Sequence, residues 1–271
     1  MALDENLSGG LVLLGCGKMG SALLAGWLER GLAQRRVWVI EPKPSEWLLT
    51  LEGINLNQEL PREPSVVLIA VKPQMMDAAL PQLSGRLGGA LCISVAAGTP
   101  MSRYAAVLGQ GTRLVRVMPN TPAAVGRGIT ALVGNSAATA QDMDLAENLM
   151  SAVGQTVRIT SEAQMDAVTA VSGSGPAYVF HLIETLAAAG VAEGLPADLA
   201  MSLARATVGG AGHLAEAADE TPAQLRVNVT SPQGTTAAAL EVLMDEKTGF
   251  PALLKAAVAA AARRSRELAD D

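Results

Sequence analysis

Residues 11–20 read Leu-Val-Leu-Leu-Gly-Cys-Gly-Lys-Met-Gly. Four apolar residues in a row predict a buried strand. Gly15, Gly17 and Gly20 then fall in the G-x-G-x-x-G spacing, and an apolar, helix-like run follows over residues 21–28. The first glycine permits a tight turn, the second lets a pyrophosphate approach the backbone, and the third lets helix and strand pack closely. Lys18 and Met19 sit inside this turn, where N–H groups at the helix start face an anion. A second strand, Val37–Ile40, ends in Glu41, 21 positions after Gly20, where a ribose-binding acid is expected. A Gly-rich turn in an ordinary α/β unit is the plainer alternative, but the strand and helix on either side favour a dinucleotide site.

The remaining bulk properties narrow the class. The chain has 271 residues, room for one large domain or two ordinary ones. Only 3% of residues are aromatic against 49% apolar, so the core must be built from Ala, Leu and Val. A net charge of −6 argues against a general nucleic-acid binder. Cys16 and Cys92 have no metal-ligand spacing and read as small buried thiols, so neither a disulfide framework nor a metal site is expected. The acidic start, residues 1–6, lacks a signal-peptide pattern, and no apolar stretch reaches the ~18–20 residues of a membrane span. The expectation is a cytoplasmic protein with no membrane partner.

Along residues 1–160, short uninterrupted apolar runs at 65–71, 91–95, 112–118 and 129–133 continue the pattern, with a further candidate strand at 156–159. Such runs suit strands buried on both faces, as in a parallel sheet. The fold class expected is therefore α/β: an N-terminal Rossmann-type doubly wound sheet, followed by an all-α C-terminal domain over residues 161–271. Ser161 with Gln164 resembles a capping box. The helix it opens is interrupted at residues 172–176 and resumes through 177–189. Pro196, Thr221-Pro222, Thr235 or Thr236, and Pro251 mark later helix starts. These helices are Ala-rich and carry more apolar surface than about 110 residues readily hide. Burial against a second subunit follows, a tightly packed monomer being the alternative.

Several segments carry chemistry. The third strand runs into Val71, Lys72 and Pro73 at a sheet edge where α/β folds bind ligands. Lys72 there either meets an acidic group or is merely solvated. Ala96 and Ala97 allow a flat ring to lie against the backbone. Met118, Pro119 and Asn120 begin a rigid loop in which Asn120 offers donor and acceptor, to a carboxamide or to its own turn. In the helical half, Ser174, Gly175 and Pro176 precede one helix; Ser231, Gly234, Thr235 and Thr236 precede another. Helix starts of this kind suit a carboxylate, although either loop could be an ordinary cap. No lysine occurs between Lys72 and Lys247, and His181 and His213 lie on predicted helices. A site without an obvious acid or base suits a substrate already activated for hydride transfer, such as a protonated imine. Tyr178 is the residue that could serve a carbonyl substrate instead.

Taken in order, the fingerprint with Met19, Ala70-Val-Lys-Pro73, Arg116-Val-Met-Pro-Asn-Thr-Pro122, Ser172-Gly-Ser-Gly-Pro-Ala-Tyr178 and Ser231-Pro-Gln-Gly-Thr-Thr236 resemble the pyrroline-5-carboxylate reductase family over nearly the whole chain. The resemblance implies reduction of 1-pyrroline-5-carboxylate, a small cyclic imine carboxylate, to L-proline by NADPH or NADH, the last step of proline biosynthesis. It implies an intertwined homodimer, with a decamer built from dimers as the larger assembly. By position, Thr236 matches the threonine whose hydroxyl meets the ring nitrogen. Ser231 and the N–H groups of Gly234 and Thr235 match the carboxylate clamp, and Ser174, Gly175 and Pro176 match the loop that shapes the pocket. Ala96, Ala97 and the Met118–Pro119–Asn120 loop match the nicotinamide side.

Two positions depart from that pattern. Gln233 stands where the family commonly has Gly, which bears on the anion geometry. Glu41 stands where members preferring NADPH usually present small polar and basic residues, and a carboxylate repels a 2′-phosphate. A relative tolerance for NADH is expected, with Lys43 as a compensating charge. Three further readings compete: a 3-hydroxyacid dehydrogenase, which would need a lysine absent near residues 172–180; a non-catalytic dinucleotide sensor; and a reductase of the six-membered imine.

Overall fold

The computed structural model describes residues 7–270, so the acidic start at residues 1–6 lies outside the described residues. The strands are β1 (Leu11–Leu14), β2 (Val37–Ile40), β3 (Asn55–Leu56), β4 (Val66–Ile69), β5 (Leu91–Ser94), β6 (Leu114–Met118), β7 (Gly128–Gly134) and β8 (Gly154–Arg158). Among the described residues they form one sheet in the order β3-β2-β1-β4-β5-β6-β7-β8. Strands β1 to β6 pair in parallel. Strand order reverses between β1 and β4, the switch point at which such sheets hold ligands.

The expected parallel sheet needs one correction. β7 pairs antiparallel to β6, and β8 then pairs parallel to β7. The link from Met118 to Gly128 is a short 3₁₀ turn, Thr121–Val125, too short for a parallel crossover. The strand expected at 156–159 begins earlier, at Gly154, and ends at Arg158.

Consecutive strand residues face opposite sides, and both sides are covered. Leu11 and Leu13 pack with Leu24, Trp27 and Leu149, whereas Val12 and Leu14 pack with Ile69, Leu80 and Tyr104. Each such leucine contributes about 2 kcal/mol by leaving water. Helix α1 (Lys18–Glu29) lies on the first face, and the Trp27 indole N–H donates to the Leu149 carbonyl of α3 (Ala140–Met150) at 2.9 Å. Helix α2 (Met101–Leu108) brings Tyr104 to the other face.

After residue 174 come the helices α4 (Gly175–Ala192), α5 (Ala197–Ala217), α6 (Pro222–Asn228), α7 (Thr235–Leu243) and α8 (Phe250–Asp270). The helical run from Ser161 is less broken than expected. A capping box at Ser161 starts it, and a π-helical turn, Thr169–Gly173, carries it to Ser174, the residue before α4. Neither Thr235 nor Thr236 caps α7; Gly234 does, without a side chain, and the helix ends at Leu243. Asp245 accepts from the Lys247 and Thr248 N–H groups and turns the chain away.

The chain forms two compact units, residues 1–173 with 262–271, and residues 174–261. The sheet unit thus includes the last turns of α8, where the Ser265 hydroxyl donates to the Asp166 carboxylate at 2.6 Å. Within the helical unit, α4 and α5 pack closely: a Cβ on Gly190 would lie 3.3 Å from that of Ala200. That unit leaves Phe180 at 58%, Val242 at 70% and Leu253 at 58% exposure. Surface this apolar calls for a partner subunit. Among the described residues no helix is long and apolar enough to cross a membrane.

Candidate functional site

The sheet unit gathers every predicted cofactor-binding residue along the carboxyl ends of β1, β2, β4, β5 and β6. Gly15 follows Leu14 with φ +90°, and a Cβ there would lie 2.9 Å from the Ala70 carbonyl. The residue must therefore be glycine on both counts. A Cβ on Gly20 would reach within 2.5 Å of the Gly15 carbonyl oxygen, so α1 can press against the turn only with hydrogen there. Gly17 differs: a Cβ would meet nothing within 4 Å. It borders an open cradle rather than packed protein. Gly17 is also the N-cap of α1 and supplies no side-chain cap, so the first N–H groups of the helix, on Lys18 and Met19 among others, have no side-chain acceptor from it. The turn and the uncapped helix start fit a dinucleotide pyrophosphate.

The loop is braced from inside. The Ser21 hydroxyl donates to the Cys16 carbonyl at 2.9 Å, and the Cys16 N–H donates to Glu41 Oε2 at 2.8 Å. Burial pushes the Cys16 thiol up; the Ser21 hydrogen bond lowers it, and the Glu41 charge raises it further. At 3% exposure this thiol is part of the packed core. Sequence reasoning missed Ser21 and Asn57. Asn57 lies just beyond β3 at φ +51°, a conformation Asn tolerates, and its carboxamide pairs with the Glu41 backbone twice. An Asn after a two-residue strand carries no readable signal of this kind.

Val71 and Lys72 follow β4, and Pro73 begins a 3₁₀ turn that Lys72 precedes in extended conformation, leaving its side chain exposed. Ala96 and Ala97 follow β5. The Ala96 N–H donates to the Ser94 hydroxyl at 3.2 Å, and Ser94 is hydrogen-bonded to the buried Tyr104 hydroxyl. After β6, Met118 packs against Gly173, and Pro119 is buried. The Asn120 carboxamide accepts from the Ile129 N–H at 3.0 Å and donates to the Ser172 carbonyl at 3.2 Å. It thereby ties the start of β7 to the π-helical turn, a wider role than bracing its own turn.

The helical unit holds the other predicted residues in two helix starts. Ser174 precedes α4, with Gly175 and Pro176 as its first residues and no side-chain cap. Ser231, Pro232, Gln233 and Gly234 form a tight turn, closed by the Gly234 N–H on the Ser231 carbonyl at 3.0 Å. That donor is therefore already engaged within the loop. Thr235 and Thr236 are the first residues of α7, whose N-terminus is likewise uncapped by side chains. Gln233 occupies the turn at φ +61°, where glycine is the unstrained choice. Among the described residues no cluster of His, Cys, Asp or Glu could hold a metal ion.

A doubly wound sheet with a glycine-rich anion cradle at its switch point defines a nucleotide-dependent oxidoreductase fold. Residues 11–98 match the family model described as NADP oxidoreductase, coenzyme F420-dependent, and residues 162–268 match that described as pyrroline-5-carboxylate reductase dimerisation. The chain is 42% identical to pyrroline-5-carboxylate reductase of Synechocystis over 95% of its length and 97% of the relative's. It is 33% identical to that of Escherichia coli over 94% of its length and 96% of the relative's. The solved pyrroline-5-carboxylate reductase of Coxiella burnetii superposes with a TM-score of 0.89 at 33% identity, covering 96% of this chain and 98% of that one. The Plasmodium falciparum enzyme, solved with NADP bound, gives 0.83 at 30% identity over 96% and 98%. The chain belongs to the pyrroline-5-carboxylate reductase family. Its helical half carries that family's dimerisation domain, as its exposed apolar faces require.

Proposed function

We propose that this chain reduces 1-pyrroline-5-carboxylate to L-proline, the last step of proline biosynthesis, as a homodimer in the cytoplasm. Family membership over 95% of the chain carries the reading. The reduced nicotinamide of NADPH or NADH supplies the hydride. The chain's own groups bind and orient. The glycine cradle and the start of α1 hold the pyrophosphate. Val71, Lys72 and Pro73 border the cofactor, and Ala96, Ala97, Met118, Pro119 and Asn120 form the nicotinamide side. Ser231 and the Thr235 N–H at the start of α7 clamp the substrate carboxylate, with Ser174, Gly175 and Pro176 shaping the pocket.

The substrate is a protonated imine, so hydride addition to its carbon converts the C=N bond to C–N and leaves the nitrogen pair where the positive charge was. No proton need be delivered in that step. The Thr236 hydroxyl hydrogen-bonds the ring nitrogen and orients it, which makes the enzyme a positioning and electrostatic catalyst. Apart from Tyr178, the residues proposed for the two helix starts, Ser174, Gly175, Pro176, Ser231, Gly234, Thr235 and Thr236, include no acid or base, which supports this over carbonyl reduction. The free buried thiols Cys16 and Cys92 are consistent with a reducing compartment. Further assembly into a decamer of five dimers is part of the same reading.

The test is product analysis. The purified chain with racemic pyrroline-5-carboxylate and a reduced nicotinamide cofactor should yield L-proline, mole for mole with cofactor oxidised, by chiral chromatography. Oxidation without proline, or no oxidation despite cofactor binding, would replace the reading with another imine substrate or a dinucleotide sensor.

A further inference from the structure

We propose that Glu41 selects the dinucleotide of this enzyme, accepting the two hydroxyls of an unphosphorylated ribose and turning away a 2′-phosphate, so that NADH is preferred over NADPH. The inference rests on the cofactor part of the reading above.

Three observations carry it. Glu41 directly follows β2, next to the glycine turn, and the Gly15 N–H donates to the carbonyl of its neighbour Ile40 at 2.9 Å. Second, the carboxylate is fixed on both oxygens. Oε2 accepts from the Cys16 N–H at 2.8 Å and Oε1 from the Lys43 N–H at 3.0 Å. Third, its backbone is fixed too. The Glu41 N–H donates to Asn57 Oδ1 and the Asn57 amide donates to the Glu41 carbonyl, both at 2.9 Å. The side chain cannot swing away from an incoming phosphate without breaking its bonds to Cys16 of the glycine turn and to Lys43, nor the strand end without breaking those to Asn57.

An ionised carboxylate accepts at about four lone-pair positions. Backbone N–H groups use two here, one on each oxygen. The remaining pair, again one on each oxygen, matches two adjacent hydroxyl donors. A ribose 2′,3′-diol provides these. A 2′-phosphate ester provides acceptors and negative charge, and so presents acceptor to acceptor and charge to like charge. Lys43 contributes its backbone N–H to holding the acid, and its ammonium extends from an exposed position on a flexible stem. It is a weaker partner for phosphate than a fixed arginine would be.

The experiment is a fluorescence titration of the whole protein with NADH and NADPH separately, without imine substrate. The wild type should bind NADH at least about tenfold more tightly than NADPH, the effect of losing a charge-assisted hydrogen bond or more. Glu41→Ser should weaken NADH about tenfold, strengthen NADPH and bring the ratio to one or below. Glu41→Gln preserves shape and the Cys16 bond while removing the charge, and should strengthen NADPH even if the serine variant folds poorly. Equal or tighter NADPH binding by the wild type, or a ratio unmoved in both variants, overturns the inference. Failure of either dinucleotide to bind overturns it together with the cofactor reading. NADH-selective binding without proline formation supports Glu41 and counts only against the reductase reading.

Discussion

Arg116 of β6, only 8% exposed at its side chain, forms an ion pair with Glu162, whose Oε1 also accepts the Met101 N–H at 2.8 Å. One carboxylate thus ties a central strand, the start of α2 and the turn after Ser161. Removing it leaves a buried guanidinium and a helix-start N–H without their acceptor. Glu162→Ala should destabilise the sheet unit by about 2–4 kcal/mol. Glu162→Gln should cost less, since one oxygen still accepts. Denaturant unfolding of both variants checks the order.

Gly17 and Gly20 should respond differently to the same methyl group. At Gly20 a Cβ lies 2.5 Å from the Gly15 carbonyl oxygen, so Gly20→Ala should lower the melting temperature or prevent folding. At Gly17 it meets no protein atom, so Gly17→Ala should melt within about 3 °C of wild type. Its cofactor affinity should nonetheless fall at least about tenfold. Calorimetry with a cofactor titration separates the two.

Gln233→Gly should stabilise the protein. A side chain at φ +61° costs about 1–2 kcal/mol, and glycine returns about 0.5–1 of that through its freer unfolded chain. The net expectation is a gain of about 0.5–1 kcal/mol. A thermal melt showing loss instead would mean that the exposed carboxamide makes a bond worth more than the strain.

The Cys92 thiol is fully buried, and burial pushes it up to about 12 from its ordinary 9.0. In the native state it should resist thiol reagents and react only on unfolding. Since the folded form holds this proton more tightly, its contribution to stability is complete below pH 9 and falls as pH rises toward 12. Cys92→Ala should flatten that alkaline decline in a pH series of denaturation midpoints.

Much of this architecture was legible because its signals are local. β1 and β2 needed only uninterrupted apolar runs, and the glycine turn only its spacing between strand and helix. β3 escaped notice because Asn55 and Leu56 form no run; they are held by pairing with Trp38 and Val39. The reversal at β7 was readable in principle from the short link after Met118, too short to cross the sheet. The return of α8 to the sheet unit was not. Ser265 on Asp166, and Leu268 against Gly98, are long-range contacts that no local pattern encodes. For the candidate site, the sequence offered candidate residues by type and position, but the partners of Glu41 and Asn120 were not readable, because Cys16, Asn57 and Ser172 meet them only through the fold.

In the proposed reaction a hydroxyl at the start of α7, on Thr236, orients the ring nitrogen of a cyclic imine for hydride transfer. Steady-state kinetics on Thr236→Val test it most directly, since valine keeps the shape and removes the hydroxyl. The valine variant should show kcat/KM for pyrroline-5-carboxylate lower by about a hundredfold with unchanged cofactor affinity, and Thr236→Ser should restore much of it. Undiminished kcat/KM in the valine variant would contradict it.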